Sequence, residues 1–405
     1  MSSTLLTRIV ILPALALLAS CGKPAYDPAP VFARWFIQPG SARLDSLSRF
    51  SRSARQWNSI AGSLRLPARP DADRMWKTLT DPTGTAYKLG IMTPASYRTD
   101  SLYPLLIYLH GGIGTASEDK GTKAYEMFAP LADSMPLFLA SPSGSRNVPW
   151  WSPAGVERVL QCLRYMTLFY PVDPDRVILS GVSDGATGCY AVANVAAQPF
   201  AGFIAVSGYG GALPSLGMPL VTANLSQRPI YNVNAGRDRL YPAQQVLEFM
   251  EFLRKNGVPV SVRMYPEEEH GFDYRDREMQ AMLGLVRTWK RPGGMAGFGW
   301  TFVRGYPAAA TGIFDLRLDQ LAESRTPFSG YWSADTLILR SEGIRGITLM
   351  LDRGPADCIL VKSGDGPVTR IRNSSGSRAV LSAMLSRQYP AVPEQAGFYR
   401  IPVKR

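Results

Sequence analysis

Histidine is almost absent: the chain has two in 405 residues. Two imidazoles cannot build a three-histidine zinc site, and no HExxH or CxxC spacing supplies another metal centre. No GxxxxGK[ST] loop is present to cradle phosphates, so the residues imply neither a metal nor another cofactor. Cysteine is nearly as scarce, with four residues. Cys21 sits in the N-terminal segment, and the remaining Cys162, Cys189 and Cys358 cannot all pair within one chain. Although the formal charge is +12, no run of Lys or Arg is concentrated enough for a nucleic-acid footprint, and nucleic acid is not an expected partner. The surplus either keeps the protein soluble or draws it by screened attraction toward acidic polysaccharide or lipid headgroups. With 46% apolar residues, the composition shows no sign of bulk disorder or collagen-like repetition. The length exceeds what one core supports, so two or more domains are expected.

The apolar stretch Ile9 to Leu18 follows Arg8, is too short to span a bilayer and is interrupted by Pro13. Residues 1–20 read as a targeting segment, and Leu18-Ala19-Ser20-Cys21 resembles the lipobox of bacterial lipoproteins. That resemblance implies cleavage before Cys21, acylation there, and a stable membrane anchor of several chains. Gly22 in place of an aspartate implies the outer membrane or periplasm over the inner membrane. An ordinary secretory signal is the alternative, and in both cases the protein leaves the cytoplasm. Residues 21–80 read as a Pro-rich tether, Gly22 to Pro30, and a helical segment from Ala42 to Leu64 closed by Pro67 and Pro70.

From 81 to 291 the pattern changes to apolar strand runs alternating with amphipathic helices, which predicts an α/β domain with a mostly parallel sheet covered on both faces. Predicted strands are Ala86 to Met92, Leu105 to Leu109, Leu137 to Ala140, Val177 to Ser180, Phe203 to Val206, Ile230 to Asn234 and Val260 to Tyr265. Predicted helices are Ala154 to Phe169, Ala186 to Ala197, Ala243 to Asn256 and Arg275 to Lys290. Arg291-Pro292-Gly293-Gly294 marks a boundary. Residues 295–405 then follow the two-residue period of strands, as in Ile313 to Leu318, Thr336 to Arg340, Ile347 to Leu351 and Ile359 to Lys362, and predict a β-sandwich.

The chemistry concentrates in the middle domain. Gly181-Val182-Ser183-Asp184-Gly185 has a strand before it and a helix of small residues after it, the setting in which a GxSxG turn lifts a serine above a sheet. His110-Gly111-Gly112-Ile113-Gly114 follows the apolar run ending at Leu109. His270 closes an acidic loop, Glu267-Glu268-Glu269. A serine hydroxyl is a poor nucleophile at neutral pH and needs a base, a role that falls to His270.

On these motifs the chain resembles the α/β-hydrolase superfamily, and within it secreted carboxylesterases of the feruloyl-esterase, polyester-depolymerase and predicted-peptidase kind. The resemblance covers residues 84 to 290. It implies a triad in chain order serine, acid, histidine, with the acid after the seventh strand and the histidine after the eighth. Those positions are Ser183, Asp238 in Gly236-Arg237-Asp238-Arg239-Leu240-Tyr241-Pro242, and His270 in Glu269-His270-Gly271-Phe272. The alternative for Asp238 is a surface helix cap. The oxyanion would meet the amide of Asp184 and an amide just after His110-Gly111, that of Gly112 or Ile113. Asp184 departs from the Met or Gln common at its position, and its carboxylate is expected to point away from the oxyanion. His110 either braces the loop or is a satisfied core histidine. Trp150 and Trp151 follow a strand end and are candidates for walling a substrate pocket, with packing under the rim as the other reading.

These features predict an exported, lipid-anchored serine esterase acting on small-molecule or polymer-linked esters. A serine peptidase uses the same triad, and a catalytically silent binding lipoprotein would keep the fold without the chemistry.

Overall fold

The computed structural model describes residues 27–292 apart from 40, 51, 67–69 and 71–72, and the strands and helix of 297–402 with part of the chain between them. Cys21 and the targeting segment lie outside the described residues.

The strands of the main sheet are β1 (Arg74–Thr80), β2 (Ala86–Met92), β3 (Tyr103–Leu109), β4 (Phe138–Pro142), β5 (Val172–Val182), β6 (Gly202–Val206), β7 (Ile230–Ala235) and β8 (Val260–Tyr265). They lie in the order β1-β2-β4-β3-β5-β6-β7-β8. β1 and β2 are antiparallel to each other, β2 is antiparallel to β4, and the rest of the sheet is parallel. The helices are α1 (Ala29–Ile37), α2 (Ser41–Ser48), α3 (Ala54–Ser63), α4 (Gly121–Ala124), α5 (Ala129–Ser134), α6 (Pro153–Phe169), α7 (Asp184–Ala196), α8 (Thr222–Leu225), α9 (Ala243–Lys255), α10 (Arg275–Thr288) and α11 (Ser377–Arg387).

The apolar runs are continuous because the central strands are buried on both faces. Leu105, Ile107 and Leu109 of β3 point into one core with α6, α7 and α9, whereas Leu106 and Tyr108 point into a second core with α5 and α10. Ser152 caps α6 by accepting from the Gly155 amide at 3.0 Å, with Pro153 in the first turn, where its missing N–H costs nothing.

Three boundaries differ from the sequence reading. The sheet starts at β1, inside the segment expected to precede the domain at 81. β1 lacks a clear apolar alternation because it is an edge strand, mostly exposed. The expected tether is already helical at α1, where Pro28 and Pro30 occupy the N-terminal turn and Phe32, Trp35 and Phe36 are buried on one face. The helix expected from 42 to 64 is two, since Ser53 restarts the chain with a capping box to Gln56.

The C-terminal region forms the second β unit expected. Its strands are β9 (Gly297–Val303), β10 (Phe314–Leu318), β11 (Arg325–Ser333), β12 (Thr336–Ser341), β13 (Ile344–Leu351), β14 (Cys358–Ser363), β15 (Val368–Arg372) and β16 (Gly397–Pro402). They make a five-stranded sheet, β15-β14-β12-β11-β9, and a three-stranded sheet, β10-β13-β16. The larger sheet does not keep a core to itself. Trp300, Phe302, Phe328, Leu337, Leu339, Ile359 and Val361 continue the core of the α/β domain. The Asn224 side chain also pairs with both backbone groups of Thr301 at 2.8 Å, as a strand neighbour would.

Helix α11, which the sequence reading missed, joins α1, α2 and α3 in a third core containing Phe32, Trp35, Phe36, Trp57, Leu381 and Met384. Arg164 of α6, fully buried, locks this layer down. Its guanidinium donates to the Ile37 carbonyl at the end of α1 and, at 2.7 Å, to Gln388 Oε1, and it pairs with Glu157.

Candidate active site

Three loops from the carboxyl ends of β5, β7 and β8 converge on one point, the position where ligands bind in sheets of this kind. Ser183 occupies the turn from β5 into α7 with φ 57° and ψ −120°, a conformation L-residues rarely hold. The two glycines around it are required by close approach. A Cβ at Gly185 would lie 2.0 Å from the Leu109 carbonyl oxygen, and one at Gly181 would lie 2.2 Å from the Gly185 oxygen. The Ser183 amide is held by the Val206 carbonyl at 2.8 Å, which fixes the turn against β6.

The His270 Nε2 lies 3.1 Å from the Ser183 Oγ, and its Nδ1 lies 2.8 Å from Asp238 Oδ2. The Asp238 side chain is fully buried, while that of His270 remains 25% exposed. The second Asp238 oxygen accepts from the Leu240 and Tyr241 amides at 2.8 and 2.9 Å. One carboxylate therefore shapes its own loop and orients the imidazole. It is not a surface cap, and in the acidic loop Arg237 pairs with Glu267 and Arg277 with Glu268.

The amides expected around the oxyanion separate into two groups. The Asp184 amide opens α7 and has no partner within the helix. The loop after β3 comes close: a Cβ on Gly111 would meet Ser183 Cβ at 2.9 Å. Ile113 is different, because its amide donates to Asp184 Oδ2 at 2.9 Å. The Ile113 donor is therefore already engaged, and the Asp184 carboxylate is turned onto the loop after β3. An unpaired acid beside the site would be repelled by developing negative charge, whereas one bound to an amide is partly neutralised and serves as a tie.

His110 is the brace beneath that loop. Its Nδ1–H donates to the Gly111 carbonyl at 2.9 Å, and its Nε2 accepts the Gly144 amide at 3.1 Å, which requires the neutral ring. Burial pulls its pKa down to about 4. Trp150 is fully buried and donates from Nε1 to the His110 carbonyl at 2.9 Å, with its ring edge-on to the imidazole at 5.2 Å. It is a strut under the loop, not a pocket wall. Trp151 is half-buried against the main core, and its carbonyl accepts the Tyr306 hydroxyl of the C-terminal unit at 2.6 Å. The loop after β4 is anchored in turn by Arg158, buried between Asp81 and Glu118 and donating to the Ser143 carbonyl at 2.8 Å.

Two residues of the site carried no assigned role in the sequence. Tyr241 stacks on His270 with ring centroids 5.8 Å apart and planes 28° apart, and Tyr209 meets Tyr241 edge-on at 5.9 Å. Tyr241 lies three residues past Asp238, inside the acid loop, and that proximity was the available signal. Cys162 and Cys189 are buried and unpaired, on α6 and α7. Among the described residues no group of three or more His, Cys, Asp or Glu could hold a metal ion.

Residues 150–291 match the Dienelactone hydrolase family. A bifunctional acetylxylan esterase/xylanase from Neocallimastix patriciarum is 27% identical over 186 residues, 44% of this chain and 26% of the relative, so the chain spans about a quarter of that protein's length. Among solved structures, a thermostable esterase is 20% identical, with 54% of this chain and 64% of that chain covered and a TM-score of 0.44. An S-formylglutathione hydrolase from Staphylococcus aureus is 16% identical, with 55% and 99% covered and a TM-score of 0.43. The strand order and the place of the serine on its β5–α7 turn give the central part of this chain an α/β-hydrolase fold, and within it residues 150–291 match the Dienelactone hydrolase family.

Proposed function

We propose that the protein is a serine hydrolase that cleaves carboxylic esters through an acyl-enzyme on Ser183. The observation that carries this reading is the continuous relay from the Ser183 Oγ through His270 to Asp238, at 3.1 and 2.8 Å. In the first half-reaction Ser183 attacks the ester carbonyl while His270 Nε2 takes its proton. The carbonyl oxygen becomes an oxyanion facing the Asp184 and Gly112 amides. Asp238 holds the Nδ1–H tautomer and stabilises the imidazolium. On collapse the proton passes to the leaving alcohol. Water then repeats the sequence with His270 as base and releases the acid and Ser183. Support for esters over amides comes from the Dienelactone hydrolase match and from the acetylxylan esterase named in the relative.

The cellular part of the proposal rests on Leu18-Ala19-Ser20-Cys21. Cys21 is the acylated residue that anchors the protein in the bacterial envelope, and incorporation of labelled fatty acid that disappears in Cys21→Ala tests it.

The activity is tested with a fluorophosphonate probe and a panel of p-nitrophenyl esters, acetylated and feruloylated sugars and peptide amides, with Ser183→Ala as control. Labelling and ester turnover that both vanish in the variant are the expected result. Faster turnover of amides than of esters would overturn the ester assignment, and a folded wild type that never labels would overturn catalysis altogether.

A further inference from the structure

The mechanism above leaves Tyr241 unused, although it is bound to the site on every side. Its amide donates to Asp238 Oδ1 at 2.9 Å, and its ring stacks, offset, beside the His270 imidazole with centroids 5.8 Å apart. Its hydroxyl is 3.4 Å from Thr187 Oγ1, in the first turn of the helix that Ser183 opens. Tyr209, which follows β6, abuts it edge-on, and Tyr209 in turn packs edge-on against Phe249 of α9 at 5.4 Å. Tyr241 and Tyr209 are both half-buried, and Leu240 beside them is 68% exposed. The result is a short run of aromatic rings that starts at the His270 imidazole and passes through the half-buried Tyr241 and Tyr209 to the buried Phe249.

The chemistry assigns a side to this run of rings. When the tetrahedral intermediate collapses, His270 must hand its proton to the oxygen of the departing alcohol, so that oxygen has to sit against Nε2. Whatever is attached to it then emerges beside the group stacked against the imidazole. That group is Tyr241, an apolar face with a polar tip. The phenol keeps its proton at neutral pH, because burial pushes its pKa up.

We propose that Tyr241 and Tyr209 wall the leaving-alcohol side of the site and favour esters whose alcohol carries an apolar ring over esters of small linear alcohols. The inference rests on the ester-hydrolase reading and adds the alcohol preference to it. A ring laid against an aromatic face and withdrawn from water is favoured by enough to raise kcat/KM about tenfold.

The test compares benzyl acetate with ethyl acetate, which share an acyl group and have alcohols of similar acidity. Both are measured on wild type, Tyr241→Phe, Tyr241→Leu and Tyr241→Ala, each checked for an unchanged thermal transition. Taking the ratio of kcat/KM for the two esters cancels damage that a variant does to the relay itself. The expected ratio is about tenfold in wild type and in Tyr241→Phe, and about threefold or less in Tyr241→Ala, with Tyr241→Leu between. The change should appear chiefly in KM. Equal hydrolysis of the two esters by wild type, or a wild-type ratio retained in Tyr241→Ala, overturns the wall and leaves ester hydrolysis standing. Hydrolysis of neither ester by folded wild type overturns both.

Discussion

The Asp184 carboxylate accepts the Ile113 amide at 2.9 Å, so the turn that presents Ser183 also holds the loop facing it. In the proposed mechanism the same residue contributes a backbone donor to the oxyanion, its side chain ties down the opposing loop, and its charge stands near the place where negative charge would develop. The two effects have opposite signs and can be separated. Asp184→Asn keeps an acceptor for Ile113 and removes the charge, so kcat should rise about threefold or more. Asp184→Ala releases the loop, and kcat should fall about tenfold or more. Steady-state kinetics on one ester decides, and movement of both variants in the same direction would contradict this division of labour.

The two oxygens of Asp238 have separate tasks, one on His270 and one on the Leu240 and Tyr241 amides. Asp238→Asn should preserve much of the loop yet leave the imidazole in the wrong tautomer, lowering kcat by on the order of 10³ to 10⁴. Asp238→Ala should lower kcat as far and also depress the melting temperature, since two amides lose their acceptor. Thermal melts beside the kinetics distinguish the two losses.

His110 links stability to pH. Its pKa falls from the usual 6.5 to about 4 in the folded protein, so the unfolded chain binds the extra proton between those values. The contribution is therefore complete above pH 6.5, shrinks as the pH drops, and is gone near pH 4, amounting to about 3 kcal/mol. Denaturant unfolding of wild type and His110→Gln across this range should show wild type losing stability relative to the variant as the pH falls. Parallel curves would refute the assignment.

Arg164 ties α6 to both ends of the described chain, through the Ile37 carbonyl and Gln388. A buried guanidinium removed from such a network leaves its acceptors unpaired, so Arg164→Ala should lower unfolding free energy by about 3 kcal/mol. The N-terminal helices should then become the first site of proteolysis, readable by limited digestion. Ester turnover at low temperature should change little, because the triad takes no support from this layer.

How much of this was legible beforehand varied with the physics of each element. The strands from Ala86–Met92 to Ile230–Ala235 are apolar runs bounded by turns, a trace that strands buried on both faces leave in any sequence, and the edge strand Val260–Tyr265 keeps apolar residues at every second position. β1 was hidden because an exposed edge strand needs no apolar alternation, and α11 because its pattern became interpretable only against α1, α2 and α3. Ser183, Asp238 and His270 stood out through local turn chemistry and chain order. Trp150 was left open between a pocket wall and packing under the rim, since nothing local tells a buried indole from one at a rim; the structure buries it.

By itself the sequence determined the backbone chemistry: two glycines that allow the Ser183 turn, a strand before it, a helix after it, and only two histidines to serve as base. Contacts between distant segments were decided by the tertiary structure alone. Only packing could turn the Asp184 carboxylate onto Ile113, stack Tyr241 beside His270, and merge the C-terminal sheet with the core of the catalytic domain. The physical reason is that a strained turn is encoded within a few neighbouring residues, whereas a hydrogen bond or stacked pair across the fold exists only once the whole chain has fixed where its partners lie.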